Sequence, residues 1–244
     1  MKKFVITSDK YSFCLQGFQK LINKYWNFED PNFTILGFNN PNCEIGKNFS
    51  FCKLGENLTD KTNWDEALNP FFNNLNEDYF FLCFEDHFLI DFAKSEYFNR
   101  AEKIMSSDPS ISKIRVHPKY LGNNLQKYDE LFSYGNTGHN SYYPTSLRPA
   151  IWRKDFFLKL LNHPSGIRNP HDFENRNNLL SFEEKVLVPN ELFFADLDAM
   201  RVGAPNPQTF QEGKINMDYY FMDLKSEDLD VFSEMKNSWQ NELR

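Results

Sequence analysis

Tyr79-Phe80-Phe81-Leu82-Cys83-Phe84 is an unbroken apolar run, and Glu85, Asp86 and His87 follow it at once. A strand with one wet face alternates apolar and polar residues. A run without alternation suits a central strand buried on both faces, as in a sheet covered by helices on both sides. Charges inside a core are costly unless paired or bound to metal. The two carboxylates and the imidazole are therefore predicted to stand at the rim of that sheet.

The flanking segments fit the same plan. Phe4 to Thr7 reads as a first strand, and Tyr11, Cys14, Leu15, Phe18, Leu21, Ile22 and Tyr25 recur at the spacing of one helix face, with Ser8 or Asp9 as its cap. Phe33 to Phe38 and Phe49 to Leu54 read as further strands, the first ended by Asn39-Asn40-Pro41-Asn42. Thr62-Asn63-Trp64-Asp65 has the form of a capping box, and Trp64, Ala67, Leu68, Phe71, Phe72 and Leu75 continue as a helix that Pro70 is predicted to kink or split. Beyond the central run come a helix over Asp91 to Ser106, a strand over Ile111 to Val116, and a short strand near Leu131 to Tyr134. Ser146 to Trp152 reads as extended, Asp155 to Leu161 as a short helix, Asn169 to Lys185 as partly helical, and Asp198 to Val202 as a last strand. Strand and helix alternation predicts a single α/β domain over residues 1–225, with a mostly parallel central sheet, followed by an amphipathic helical tail over 226–244. Such sheets bind ligands outside the carboxyl ends of their strands, which directs attention to Thr7-Ser8-Asp9 and Glu85-Asp86-His87.

Composition narrows the function classes. Of 244 residues 41% are hydrophobic and 26 are Phe, ample for a large core and incompatible with disorder. Lys plus Arg is 27 against 34 for Asp plus Glu, so the net charge of −7 has the wrong sign for a face that tracks nucleic-acid phosphates. No run of 18 apolar residues offers a membrane-spanning helix. Met1 to Thr7 lacks the pattern of a secretory signal, so a cytoplasmic location is expected. Cys14, Cys43, Cys52 and Cys83 show no C-x-x-C spacing, sit among apolar residues and read as buried thiols. No phosphate-binding G-x-x-x-x-G-K-[ST], dinucleotide G-x-G-x-x-G, G-x-S-x-G elbow or H-E-x-x-H occurs.

The rim acids suggest a metal. Carboxylate oxygens suit Mg²⁺ or Mn²⁺, an imidazole tolerates Mn²⁺ better, and such an ion can neutralise a diphosphate leaving group. The bland alternative is that Glu85 and Asp86 open a solvated loop.

Trp64-Asp65-Glu66-Ala67-Leu68 followed by Tyr79 to Leu89 resembles glycosyltransferases of the GT-A type, in a bacterial and viral subset of which a Trp-led helix precedes a strand ending in an acidic Asp-Asp-Tyr-like motif. Ser146 to Leu158, with Ala150-Ile151-Trp152-Arg153, is similar to a second segment of that subset, and His171-Asp172-Phe173-Glu174 resembles its Trp-Glu-Phe-Glu. Together these blocks span residues 60–205. The resemblance implies a GT-A-like fold and a nucleotide-diphosphate sugar donor whose sugar passes to a glycan or other hydroxyl acceptor. It puts Thr7, Ser8 and Asp9 near the base or ribose, Asp86 on the metal, and Glu85 at the ribose or in support of the metal ligands. His87 departs from the pattern. It is left as a metal ligand, a protonated substitute for the metal's charge, or a group that orients Asp86.

The transfer needs a base for the acceptor hydroxyl. Asp172 and Glu174 are the candidates, and their i, i+2 spacing points them differently. Glu174 is favoured as the final acid of the resembled motif, with Asp172 pairing with Arg168 or Arg176, and displacement with one base implies inversion. Trp152 reads as an acceptor-stacking platform or a core residue, and Trp64 as core. Arg115 reads as a phosphate contact or the partner of a core-edge carboxylate. His117 and His139 read as surface histidines, the loop Asn123 to Tyr143 as a sugar-binding lid, and Arg201 as a basic group returning to the diphosphate. Two alternatives stand beside the transferase: a non-catalytic nucleotide-sugar or carbohydrate-binding protein on the same scaffold, and a two-carboxylate glycoside hydrolase.

Overall fold

The computed structural model describes residues 1–59, 61–118, 125–135, 145–178, 184–201, 204–205, 214–217, 220–223 and 225–242. Its centre is an eight-stranded sheet. In chain order the strands are β1 (Lys2–Ile6), β2 (Phe33–Gly37), β3 (Phe49–Lys53), β4 (Tyr79–Phe84), β6 (Ile111–Arg115), β7 (Phe132–Tyr134), β8 (Ala150–Arg153) and β9 (Lys185–Pro189). A separate short strand, β5 (His87–Leu89), follows β4 directly and pairs antiparallel with β10 (Asp196–Asp198). The spatial order is β3-β2-β1-β4-β8-β6-β9-β7. β3, β2, β1 and β4 are mutually parallel, β8 is inserted antiparallel between β4 and β6, and β7 closes the far edge antiparallel to β9.

The β4 run does what its composition demands. Phe81 and Cys83 enter one core, Phe80 and Leu82 enter the other, and all four are fully buried. The first core lies under α1 (Cys14–Tyr25) and α3 (Ser95–Ser107). The second lies under α2 (Trp64–Asn73), α4 (Lys154–Leu161) and α5 (Pro170–Asn178). Helices therefore cover both faces, and each buried Phe contributes about 2–3 kcal/mol of transfer free energy. Among the described residues no helix is long and apolar enough to cross a membrane.

Local details differ from expectation for identifiable reasons. The helix at Trp64 is not closed by a Thr62–Asp65 box. Asn63 is its N-cap, and the Asp65 carboxylate instead accepts from the Ile167 amide at 2.9 Å. Pro70 leaves α2 a single helix. The proline removes one ladder bond, but Phe71 and Phe72 beyond it are held edge-on against Phe4, with ring centroids 5.2 and 5.8 Å away. Lys185, expected as the end of a partly helical segment, opens instead the strand Lys185–Pro189 beside β6, a strand the sequence reading did not assign. The strand expected over Asp198 to Val202 begins at Asp196 and breaks after Asp198.

The C-terminal helix α6 (Leu229–Glu242) joins the α1-side core through Phe232 and Met235. Phe232 packs on Phe88 of β5 at 5.5 Å, and Lys24 holds Asp228 at 2.7 Å at the helix entrance. Phe232→Ala is expected to cost about 3–5 kcal/mol in urea unfolding, whereas Phe92→Ala, at a ring 54% exposed, should cost under about 1 kcal/mol. Equal costs would contradict the assigned packing.

Candidate active site

The chain leaves β1 toward β2 and β3 on one side and returns to β4 on the other. The carboxyl ends of β1 and β4 thus mark the switch point of the sheet, where such folds open a ligand site. Two rim segments meet there. The Ser8 amide donates to Glu85 Oε1 at 3.0 Å and the Thr7 hydroxyl donates to the same oxygen at 3.3 Å. Gly37 makes room for this contact, because a Cβ there would come within 2.8 Å of the Thr7 methyl. The Ser8 hydroxyl accepts from the Tyr11 amide and so caps the turn Asp9–Tyr11, while Asp9 accepts from Asn39. Burial raises the Glu85 carboxyl to about 8, with the neighbouring Asp86 charge adding to the rise.

The second half of the site is the β5–β10 pair. Its register sets Asp198 opposite His87. His87 Nδ1 lies 2.7 Å from Asp196 Oδ2 and 3.6 Å from Asp198 Oδ1, and its Nε2 is 4.0 Å from Asp86 Oδ1. Asp196 is fully buried, and its other oxygen pairs with His117 Nε2. Arg148 Nη2 donates to Asp198 Oδ2 at 2.9 Å. Burial alone would raise Asp196, but the imidazoles of His117 and His87 outweigh it and hold the carboxyl well below its ordinary range. Burial alone would lower His87. Asp196, then Asp198 and Asp86, overcome that and raise the imidazole to about 9. Burial lowers His117 against the pull of Asp196 and pushes Asp86 up against the pull of His87.

His87, Asp196 and Asp198 could hold a metal ion, since one ligand atom from each lies within 4.8 Å of the others. Two carboxylates and an imidazole are a donor set that Mn²⁺ accepts. The expected ligands were Asp86 and His87. Of these His87 belongs to the group, and Asp86 stands beside it.

The remaining candidates are placed as follows. Arg115 is buried at the end of β6, on the strand face it shares with Lys113. Trp152, considered as an acceptor platform, is 0% exposed in the α4-side core with Lys113 Nζ 3.8 Å from its ring centre, so it has no face open to a sugar. Asp172 pairs with both Arg168 and Arg176, at 2.7 and 3.3 Å. Glu174 points elsewhere, as the i, i+2 spacing requires, and accepts from the Leu147 amide at 2.6 Å. His117, expected at the surface, is buried on Asp196. His139 and, of the loop expected as a lid, residues 123–124 and 136–143 lie outside the described residues, as do Val202 and Gly203 after Arg201.

Sequence reading missed Asp196, Asp198 and Arg148. A signal was present: Asp196-Leu197-Asp198 follows the apolar Leu192-Phe193-Phe194-Ala195, which repeats in short form the pattern of an apolar run ending in acids.

The sequence matches no family model and no curated protein. Among solved structures the fold is similar to the bifunctional IspDF from Campylobacter jejuni (TM-score 0.42, 11% identity, 81% of this chain and 52% of that chain). It is similar also to residues 1–349 of S. aureus TarS in complex with UDP (0.44, 10%, 77% and 57%). A third is UDP-glucose pyrophosphorylase complexed with UDP-glucose (0.48, 8%, 99% and 99%). The chain spans 52% and 57% of the length of the first two.

The raised groups fix a pH dependence. Glu85 and His87 both bind their proton more tightly folded than unfolded, so stability falls as pH rises between the ordinary and the raised value. That window runs from 4.5 to about 8 for Glu85 and from 6.5 to about 9 for His87. His117 and Asp196 are lowered, so their contributions act on the acid side. The melting temperature should drop from pH 6.5 to 9, and His87→Gln should flatten the slope. A melting temperature that climbs across this window contradicts the assignment.

Proposed function

We propose that this chain is a glycosyltransferase that moves a sugar from a nucleotide-diphosphate donor to a hydroxyl of a glycan or another acceptor, with inversion at the anomeric carbon. One observation carries the reading. At the carboxyl ends of β1 and β4 the Thr7-Ser8 segment meets Glu85, and Asp86 adjoins the His87–Asp196–Asp198 group, so a polar edge joins a cation-capable cluster.

Thr7, Ser8 and Asp9 take the nucleoside end. Glu85, with its proton held up to about 8, can donate to a ribose hydroxyl at neutral pH. Arg115 serves the diphosphate. His87, Asp196 and Asp198, with Asp86 at the rim, hold the divalent cation, Mn²⁺ or Mg²⁺. When bound, that ion neutralises charge developing on the leaving diphosphate. Glu174 takes the proton of the acceptor hydroxyl. The acceptor oxygen bonds to the anomeric carbon, the bond to the diphosphate oxygen breaks with its electron pair, and nucleoside diphosphate leaves. Asp172, occupied by its two arginines, is left out of this task.

Binding without transfer is the second reading. Its support is that His87 and Arg148 already balance the acids of the cluster. Slow release of nucleoside diphosphate from a nucleotide sugar into water with Mn²⁺ favours transfer; tight donor binding with no release favours binding alone.

Glu174→Gln keeps an acceptor for the Leu147 amide, so stability and donor affinity should hold while transfer falls about 10²–10⁴-fold. Normal transfer by that variant eliminates Glu174 as the base. Asp86→Ala should weaken metal-dependent nucleotide binding in titration calorimetry with the fold intact. Unchanged affinity removes Asp86 from the site.

A further inference from the structure

Arg148 stands where a cation would. Its Nη2 donates to Asp198 at 2.9 Å and its Nη1 lies 3.9 Å from Asp196, so one guanidinium spans both acids of β10. The same two carboxylates are two of the three side chains in the metal-capable group. A guanidinium and a divalent ion cannot share them at close range, because like charges within a few ångström repel strongly in a half-enclosed cleft.

The backbone beneath Arg148 is fixed. Lys113 Nζ donates to the Ser146 carbonyl at 2.5 Å, the Leu147 amide donates to Glu174 at 2.6 Å, and the Thr145 hydroxyl donates to the Glu174 carbonyl at 3.1 Å. Its long side chain is 32% exposed and rests on an Asp198 that is 37% exposed. Ions compete at such a pair far more readily than at a fully enclosed one.

We infer that Arg148 is the built-in counter-cation of this site, displaced from Asp198 when a divalent ion binds. The inference rests on the proposed metal site at His87, Asp196 and Asp198. Arg148 holds down the metal affinity of the free protein. Because a nucleoside diphosphate offers the displaced guanidinium a new anionic partner, nucleotide and metal each raise the other's affinity, as linkage requires.

Titration calorimetry of Mn²⁺ into the full chain tests this, with and without UDP as the nucleoside diphosphate. Arg148→Gln should bind Mn²⁺ about tenfold more tightly than the wild type, Arg148→Lys should stay near the wild type, and Asp198→Asn should weaken binding. The tightening by UDP should shrink in Arg148→Gln. A merely structural arginine would give unchanged or weaker metal binding in Arg148→Gln, and that result overturns the proposal. If the wild type binds Mn²⁺ through Asp198 but Arg148→Gln does not tighten it, Arg148 alone is misassigned. If neither protein binds Mn²⁺, the metal site falls with it. In the wild type, whatever the folding of the variants, the Arg148 Nε–H resonance should shift as Mg²⁺ saturates the site. An unmoved resonance at saturation overturns the proposal as well.

Discussion

The Asp196 carboxylate, buried between two imidazoles, is the contact on which the site depends. Without partners it would be a severe cost, but each oxygen has one: His117 on one side and His87 on the other. His87 begins β5 just past the end of β4, His117 follows β6, and Asp196 opens β10. One carboxylate therefore ties three separate stretches of chain to the same edge of the sheet. Breaking such a buried pair leaves an uncompensated charge and typically costs several kcal/mol. The hydrophobic run of β4 delivers the chain to this edge, and the ion pairs decide how it is held there.

Charge balance follows from the same arrangement. Four acids gather at the rim: Glu85, Asp86, Asp196 and Asp198. Burial keeps Glu85 protonated near neutral pH, His87 carries a proton to about 9, and Arg148 covers Asp198. The cluster is thus close to neutral without a ligand, even though the whole chain carries −7. A metal and a diphosphate together bring charges that nearly cancel, so a site of this kind favours their joint arrival over either alone.

Much of the fold could be read from the chain because its signals are local. β4 runs over the residues expected, since a strand buried on both faces needs no alternation, and the α1 stripe of Cys14, Leu15, Phe18, Leu21, Ile22 and Tyr25 is buried throughout. The meeting of Thr7-Ser8 with Glu85 follows from strand order once β1 and β4 are neighbours. What stayed hidden is long-range. β9 follows a charged segment whose composition reads as helical, and Pro189-Asn190 after its Val-Leu-Val centre is the one local mark of its end. Asp196 and Asp198 acquire meaning only by pairing with a strand 109 residues earlier. His117 beside a proline carries no mark of burial, and Trp152 is assigned to the core by the helices packed over it, Phe156 and Phe157 included.

The proposed cation site joins the acids past β4 to those of β10 and faces the β1 loop. Anomalous diffraction from crystals grown with Mn²⁺ and UDP tests it directly. A single strong manganese peak bounded by His87, Asp196 and Asp198 is expected, with the diphosphate reaching from it toward Thr7 and Ser8. Manganese bound elsewhere, or UDP lodged away from the carboxyl ends of β1 and β4, would contradict it.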